Sequence, residues 1–118
     1  MKKIVVGGQM DKQKIAALAQ KIAGDKASVE VKSDVEAAMA LKQGKADLYL
    51  GACNTGGGGA LAMAIAILGM AVCSTVSMPG KIKTEDEIRA DAASGKKAFG
   101  FTAQDIDRVV PIILKYAL

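Results

Sequence analysis

The chain of 118 residues has the length of one domain, and 51% hydrophobic beside 24% charged residues is ordinary for a globular fold. Scattered lysines give a net charge of +4 without a dense basic run, and aromatic residues make up only 3%. This composition argues against nucleic-acid binding, which relies on basic patches and stacking aromatics. Because the chain has no histidine, Cys–His and Ser–His catalysis are excluded within one chain.

No signal peptide is predicted, because the apolar run that follows Lys2 and Lys3 is too short. The longest uncharged apolar run, residues 60–73, is shorter than the roughly 18–20 residues that cross a bilayer. Cys53 and Cys73 lack the spacing of a redox or zinc motif. We therefore predict a cytoplasmic protein with no metal and no cofactor.

Strand patterns alternate with helix patterns along the chain, and short connections between them favour parallel strands with right-handed crossovers. The second strand, with Val29 and Val31 predicted to face inward, alternates with charged residues and is therefore placed at an edge. We predict one domain over residues 1–118, a three-layer α/β/α sandwich with a five-stranded parallel sheet in the flavodoxin-like order 2-1-3-4-5. The predicted strands are residues 3–7, 27–32, 46–52, 70–77 and 97–101.

The helices carry recognisable start signals. Asp11 is a plausible N-cap of the first helix, and Ser33-Asp34-Val35-Glu36 and Thr84-Glu85-Asp86-Glu87 are capping boxes. The last helix is predicted to open at Thr102-Ala103-Gln104-Asp105 and to contain Pro111, which should kink it; the alternative is that the helix proper restarts at Pro111. Its predicted inward residues are Ile106, Val109, Val110, Ile113 and Leu114.

The third strand runs directly into Cys53-Asn54-Thr55 and then Gly56-Gly57-Gly58-Gly59. Glycine N–H groups can approach a ligand closely, and the helix start that follows adds unpaired donors and about half a positive charge. Thr55 can donate its hydroxyl, and Asn54 suits a tight turn. In this fold ligands bind at the carboxyl ends of strands 1 and 3. Asn54, Thr55 and Gly56, Gly57, Gly58 and Gly59 are therefore predicted to hold a phosphate or carboxylate, with Gly8 and Gln9 facing them.

The glycine-rich segment has three other interpretations. The pattern Gly57-x-Gly59-x-x-Ala62 formally matches the dinucleotide fingerprint, but it follows the third strand and no acidic residue lies about 20 residues further on. A P-loop fails because no Lys-Ser or Lys-Thr pair follows the glycines. The last alternative is a turn whose glycines only let helix and sheet pack closely.

Cys53 and Asp11 are the candidate catalytic residues. Cys53 lies near a helix N-terminus, which lowers the pKa of a thiol, so it could act as a nucleophile or base; the alternative is a small buried residue. Asp11 is the carboxylate best placed to reach the crevice, although an N-cap role explains it equally well. Cys73 lies in an apolar strand and is predicted to belong to the core.

The helix that begins at Ala60 and ends at Leu68 has no polar side chain. Such a helix is predicted to be buried on every side, and in a layered domain this usually requires a neighbouring subunit. We therefore predict a homodimer or higher homo-oligomer through this helix.

Over nearly its whole length the chain resembles the YhfU-like family of uncharacterised bacterial proteins. The matching segments are Asp34-Val35-Glu36-Ala37-Ala38-Met39, Asp47-Leu48-Tyr49-Leu50-Gly51-Ala52-Cys53-Asn54-Thr55-Gly56, and residues 95–100. The resemblance implies no established activity. It does imply gene clusters with a multi-span membrane protein and metabolic enzymes, and hence an accessory role in uptake or catabolism, with a membrane transporter as a partner.

A second, local resemblance joins Cys53-Asn54-Thr55-Gly56-Gly57-Gly58 to the Cys-Gly-Thr-Gly-x-Gly loop of the type B ribose/galactose phosphate isomerases. It implies that Cys53 is the base of the proton transfer and that Thr55 and the glycines hold the anion. Those isomerases carry an Asp-His pair where this chain has Gly8-Gln9, and their later histidine is also missing. The resemblance therefore extends to the binding loop rather than to the reaction.

The preferred hypothesis is a cytoplasmic homo-oligomer that binds a small phosphorylated or carboxylated metabolite. One alternative is a sugar-phosphate isomerase-like enzyme that uses Cys53. The other is a soluble accessory subunit of a transport system, comparable in size and fold class to a phosphotransferase IIB component. Those components carry their phosphocysteine after the first strand, where this chain has Gly7-Gly8.

Overall fold

The computed structural model describes residues 1–54 and 57–118, and the side chains of these residues except at 57–60. The strands in this part are β1 (Lys2–Gly8), β2 (Ala27–Val31), β3 (Leu48–Cys53), β4 (Cys73–Thr75), β5 (Ser77–Met78), β6 (Lys81–Ile82) and β7 (Ala98–Thr102). The helices are α1 (Lys12–Ala23), α2 (Asp34–Lys42), α3 (Gly57–Leu68), α4 (Glu85–Ala93) and α5 (Ile106–Ala117).

The main sheet is parallel throughout and has the order β2-β1-β3-β7-β4. Side chains of α1, α4 and α5 share one hydrophobic core, which includes Ile15, Ile88 and Ile113. Side chains of α2 and α3 share a second core on the other face, around Tyr49 and Leu61. The predicted three-layer α/β/α class with five parallel strands is therefore confirmed.

The predicted order 2-1-3-4-5 is correct for the first three strands, but the last two change places. β7 lies between β3 and β4 because Ala98, Phe99 and Phe101 are fully buried, and a strand with neighbours on both sides must be apolar on both faces. β4 contains Ser74 and Thr75 and forms the edge instead.

The strand predicted at residues 70–77 is interrupted. A 3-10 turn covers Met70–Val72, β4 follows, and β5 pairs with β6 in a separate antiparallel ribbon that the sequence reasoning missed. Pro79-Gly80 connects β5 and β6, and Gly80 has a φ of +78°, which suits the second central position of a type II turn.

Most of the predicted helix starts, buried helix faces and edge positions are confirmed. Both capping boxes form, at Ser33 and at Thr84, and α5 contains Pro111 and buries its five predicted apolar residues, Ile106, Val109, Val110, Ile113 and Leu114. β2 lies at the edge as predicted. Val31, however, is 37% exposed rather than inward, because β2 has a neighbouring strand on one side only. α3 begins at Gly57 rather than Ala60 and ends at Leu68 as predicted.

Candidate functional site

The carboxyl ends of β1 and β3 meet at the point where the sheet changes direction. β1 pairs with both β2 and β3, and the connections that follow β1 and β3 lead to α1 and α3 on opposite faces. The N–H groups of Gln9 and Met10 both donate to the Ala52 carbonyl, at 2.9 and 3.1 Å. The structure thus brings Gly8 and Gln9 beside the end of β3, at the place where open α/β sheets bind ligands.

Gly8 is required by this close approach. Its φ is +78°, and a Cβ there would lie 2.6 Å from the Ala52 nitrogen, inside any normal contact. Gly7 is similarly confined, because a Cβ would lie 2.7 Å from the ring of Tyr49. These two glycines let the end of β1 lie close against β3 and against the Tyr49 ring.

Tyr49 lies in the second core directly beneath the end of β1, and the sequence pattern assigned it no role. Its side chain is fully buried, and its hydroxyl accepts from the Gly8 N–H at 3.1 Å and donates to Asp34 Oδ1 at 3.4 Å. Burial raises the pKa of the Tyr49 phenol, and the charge of Asp34 raises it further. The phenol therefore stays protonated and joins the end of β1 to the first turn of α2. A tyrosine inside an apolar strand was the available signal, since a buried tyrosine hydroxyl requires a partner.

Cys53 is the last residue of β3, is 2% exposed and has Thr102 of β7 as its register neighbour. Neither Cys53 nor Cys73 forms a disulfide, and both are buried. The prediction that Cys73 belongs to the core is therefore confirmed. Burial raises the pKa of the Cys73 thiol, with Lys96 opposing the effect.

The predicted anion cradle is described only in part. Asn54 is exposed after β3, and Gly57, Gly58 and Gly59 open α3. The positions predicted at Thr55 and Gly56 lie outside the described residues. α3 thus begins directly beyond the carboxyl end of β3, as the sequence predicted.

Asp11 occupies the N-cap position of α1, but its side chain makes no capping hydrogen bond. Its φ is +51°, a left-handed conformation that non-glycine residues adopt rarely and that aspartate tolerates better than most. The N-cap explanation therefore fails for its carboxylate, which is exposed beside the segment that follows Gly8. Lys12, the next residue, donates to the Lys32 carbonyl at 3.0 Å and places a cation at the same edge of the sheet.

A buried polar cluster orders the end of β7 next to Cys53. The Thr102 N–H donates to Ser77 Oγ at 3.0 Å, and the Thr102 hydroxyl hydrogen-bonds to the Asp105 carboxylate. Because these polar atoms satisfy one another, the cluster holds β7, β5 and the start of α5 together.

A parallel sheet covered by helices on both faces, with connections that diverge to opposite faces where its order reverses, defines a small doubly wound α/β domain. The chain belongs to the family described as "Protein of unknown function DUF2620", whose family model matches residues 2–117.

The chain is also 39% identical over 117 residues to proteins called "Uncharacterized protein YhfU" from Escherichia coli strain K12, Escherichia coli O6:H1 strain CFT073 and Shigella flexneri. Each match covers 98% of both chains. The predicted family membership is therefore confirmed. No solved structure matches the chain.

Within residues 1–54 and 57–118, no helix combines the length and the apolar character that crossing a membrane would require.

Proposed function

We propose that this protein binds a small phosphorylated or carboxylated metabolite in the crevice between the carboxyl ends of β1 and β3. The observation that carries this proposal is the double hydrogen bond from Gln9 and Met10 to the Ala52 carbonyl. It holds the two strand ends together at the point where their connections diverge to opposite faces, and open α/β sheets bind ligands at such a point. The helices that follow β1 and β3 begin at this edge, and helix N-termini favour negative charge.

Each neighbouring residue has a distinct part in the proposed site. Asn54 and Thr55, with the N–H groups of residues 56–59, hold the anionic group, and Gly8 and Gln9 form the opposite wall. Lys12 supplies positive charge at the same edge. Asp11 is exposed and makes no capping bond, so its carboxylate can accept from a ligand hydroxyl. A metabolite that carries both an anionic group and hydroxyl groups suits this set.

The test is isothermal titration with inorganic phosphate, ribose 5-phosphate and 3-phosphoglycerate, with ribose and sodium chloride of equal ionic strength as references. Bound ligand should also raise the melting temperature, because saturation at 100 times Kd adds about 2.7 kcal/mol to the unfolding free energy. If no anion binds more tightly than chloride, the proposal is wrong.

A matched pair of variants locates the site. Asn54→Asp adds a negative charge at the crevice, and Gln43→Glu adds one at the far end of α2; both residues are exposed. Asn54→Asp should weaken phosphate binding about tenfold, which corresponds to roughly 1.4 kcal/mol, because the new carboxylate repels the anion. Gln43→Glu should leave the affinity nearly unchanged. Equal effects of the two variants would place the anion elsewhere.

Cys53→Ser separates binding from catalysis. If the protein only binds, the variant keeps its phosphate affinity. Loss of an aldose–ketose conversion in Cys53→Ser, with ribose 5-phosphate binding intact, would instead support the isomerase-like alternative.

A further inference from the structure

The strands of the main sheet all begin at the same edge, because they are parallel. Backbone hydrogen bonds join neighbouring segments there: the Asp47 N–H donates to the Lys3 carbonyl, and the Lys97 N–H to the Val72 carbonyl, both at 2.8 Å. Lysines are concentrated at these strand starts. Those that begin a strand of this sheet or come shortly before one are Lys2, Lys3, Lys26, Lys45, Lys96 and Lys97.

α1 and α2 end at this edge, and their last turns carry Lys21 and Lys42. We call residues 1–3, 21–26, 42–47, 68–72 and 95–97 the basic edge. It contains eight of the 16 basic residues of the chain and two of the 12 acidic ones, Asp25 and Asp47. The basic edge therefore carries a charge of +6 and the rest of the chain −2, against +4 overall. The net positive charge of the protein lies on one side of the molecule.

The chain does not neutralise these eight lysines. Within residues 1–54 and 57–118, none of them forms an ion pair with a carboxylate. Lys96 Nζ donates to the Met70 carbonyl at 3.3 Å and Lys2 Nζ to the Ala117 carbonyl at 3.4 Å, and these neutral oxygens leave the positive charge in place. Like charges gathered on one side repel one another, so an anionic partner stabilises this surface.

Apolar side chains lie among the lysines. Met70, in the 3-10 turn between α3 and β4, is 72% exposed. Close to it is a hollow of about 290 Å³, whose lining includes Leu68 and Val72 together with Lys42 and Lys97. The basic edge therefore combines the two features by which proteins bind a lipid surface, namely apolar contact with acyl chains and cations that attract anionic headgroups.

We propose that the basic edge docks on the surface of an anionic lipid bilayer, with Met70 at the boundary between headgroups and acyl chains. The lysines around Met70 then lie among the phosphate groups of the lipids. Nucleic acid would bind the lysines alone, and the basic edge has no aromatic residue to stack on its bases. In the docked orientation the carboxyl ends of β1 and β3 face away from the bilayer, so the proposed anion site stays open to water.

Flotation with lipid vesicles tests this surface. Vesicles of phosphatidylcholine with about 30% phosphatidylglycerol supply the negative surface potential, and pure phosphatidylcholine vesicles are the neutral reference. The wild type should bind the anionic vesicles in about 0.1 M sodium chloride, where the Debye length is about 10 Å. It should be released in about 1 M sodium chloride, where the Debye length is about 3 Å.

A matched pair of double variants locates the contact. Lys42→Glu with Lys97→Glu should weaken binding to the anionic vesicles about thirtyfold, which corresponds to roughly 1 kcal/mol for each lysine removed. Lys81→Glu with Arg108→Glu makes the same change in net charge, in β6 and in the first turn of α5, at the other end of the sheet. Screening over about 10 Å should limit its effect to about threefold. All four residues are exposed, so the variants should fold, which circular dichroism checks.

Met70→Ser tests whether the partner is a lipid surface. It should weaken binding to the anionic vesicles about tenfold, because serine loses the apolar contact, and it should leave the affinity for duplex DNA unchanged. The proposal is overturned if the wild type does not prefer anionic to neutral vesicles, if the two double variants weaken binding equally, or if Met70→Ser binds the vesicles as the wild type does. Tighter binding of duplex DNA than of the vesicles would assign the basic edge to nucleic acid instead.

Discussion

The Tyr49 hydroxyl accepts a hydrogen bond from the Gly8 N–H at 3.1 Å and lies 3.4 Å from Asp34 Oδ1. The Tyr49 side chain thus connects the end of β1 with the first turn of α2. The contact is buried, so the Gly8 N–H has no water to replace the phenol.

Tyr49→Phe should lower the unfolding free energy by about 1–3 kcal/mol, because a buried N–H without a partner loses its solvation and gains nothing in return. Urea denaturation measures the change. Tyr116→Phe is the control, since the Tyr116 hydroxyl bonds to exposed Glu85 and its loss should cost about 0.5 kcal/mol or less. Equal losses of unfolding free energy in Tyr49→Phe and Tyr116→Phe would mean that the buried contact with Gly8 stabilises the fold no more than the exposed contact with Glu85 does.

Gly8 and Gly80 have the same φ of +78° but different surroundings. Alanine at either position must adopt the left-handed backbone conformation, which lowers the unfolding free energy by roughly 1–2 kcal/mol. At Gly8 the added methyl also meets the Ala52 backbone at 2.6 Å, whereas Gly80 has open space. Gly8→Ala should therefore cost about 1–3 kcal/mol more than Gly80→Ala.

Unfolding free energies of both variants give this difference directly, because the backbone strain cancels in the comparison. A Gly8→Ala protein as stable as Gly80→Ala would show that β1 can move away from β3 without cost. The close approach of β1 to β3 would then result from having glycine at position 8 and would not be required by the fold.

The parts of the fold that the sequence predicts correctly depend on neighbours in the chain. The capping boxes at Ser33 and Thr84 each need only one partner three residues away, and both form. The inward face of α5 follows from helical spacing alone. The order of the last two strands depends on contacts between distant segments, and its cue lay in composition: Phe99 and Phe101 suit a central strand better than Ser74 and Thr75 do.

The site shows the same division. The helix start after β3 and the pairing of Gly8 with Ala52 follow from the strand-to-helix pattern and the order 2-1-3. The buried Tyr49 contact joins residues that lie 41 positions apart, so no local pattern could predict it. Asp11 occupies the predicted N-cap position, but its backbone is left-handed and its side chain makes no capping bond, which the sequence pattern does not reveal.

Asp91 makes the stability of the fold sensitive to acid. Burial acts to raise the pKa of its carboxyl, but hydrogen bonds from Lys83 and Ser74 and the charges of Lys83 and Lys96 together bring it below the usual 3.8. The folded state therefore prefers the carboxylate. Its contribution is complete above pH 3.8 and is lost as the pH falls through the lower pKa of the folded state.

Asp91→Asn should cost about 1–3 kcal/mol at pH 7, because it leaves a half-buried Lys83 without its partner. It should also flatten the fall in urea midpoint below pH 4. Asp86→Asn, which breaks an exposed pair with Arg89 on the same helix, should cost less than about 0.5 kcal/mol. If the wild type and Asp91→Asn lose stability in parallel on acidification, Asp91 is not the responsible group.

Asp11→Asn tests whether the carboxylate contributes to ligand choice. Asparagine tolerates the left-handed conformation as aspartate does, and no capping bond is present to lose, so stability should stay within about 0.5 kcal/mol. If Asp11 accepts from a ligand hydroxyl, the affinity for ribose 5-phosphate should fall about tenfold, or roughly 1.4 kcal/mol. Binding of inorganic phosphate, which lacks the sugar hydroxyls, should stay equal or become tighter because a nearby negative charge is gone.

The decisive quantity is the ratio of the two affinities measured by titration calorimetry. An unchanged ratio would mean that Asp11 takes no part in recognising the hydroxylated portion of the ligand.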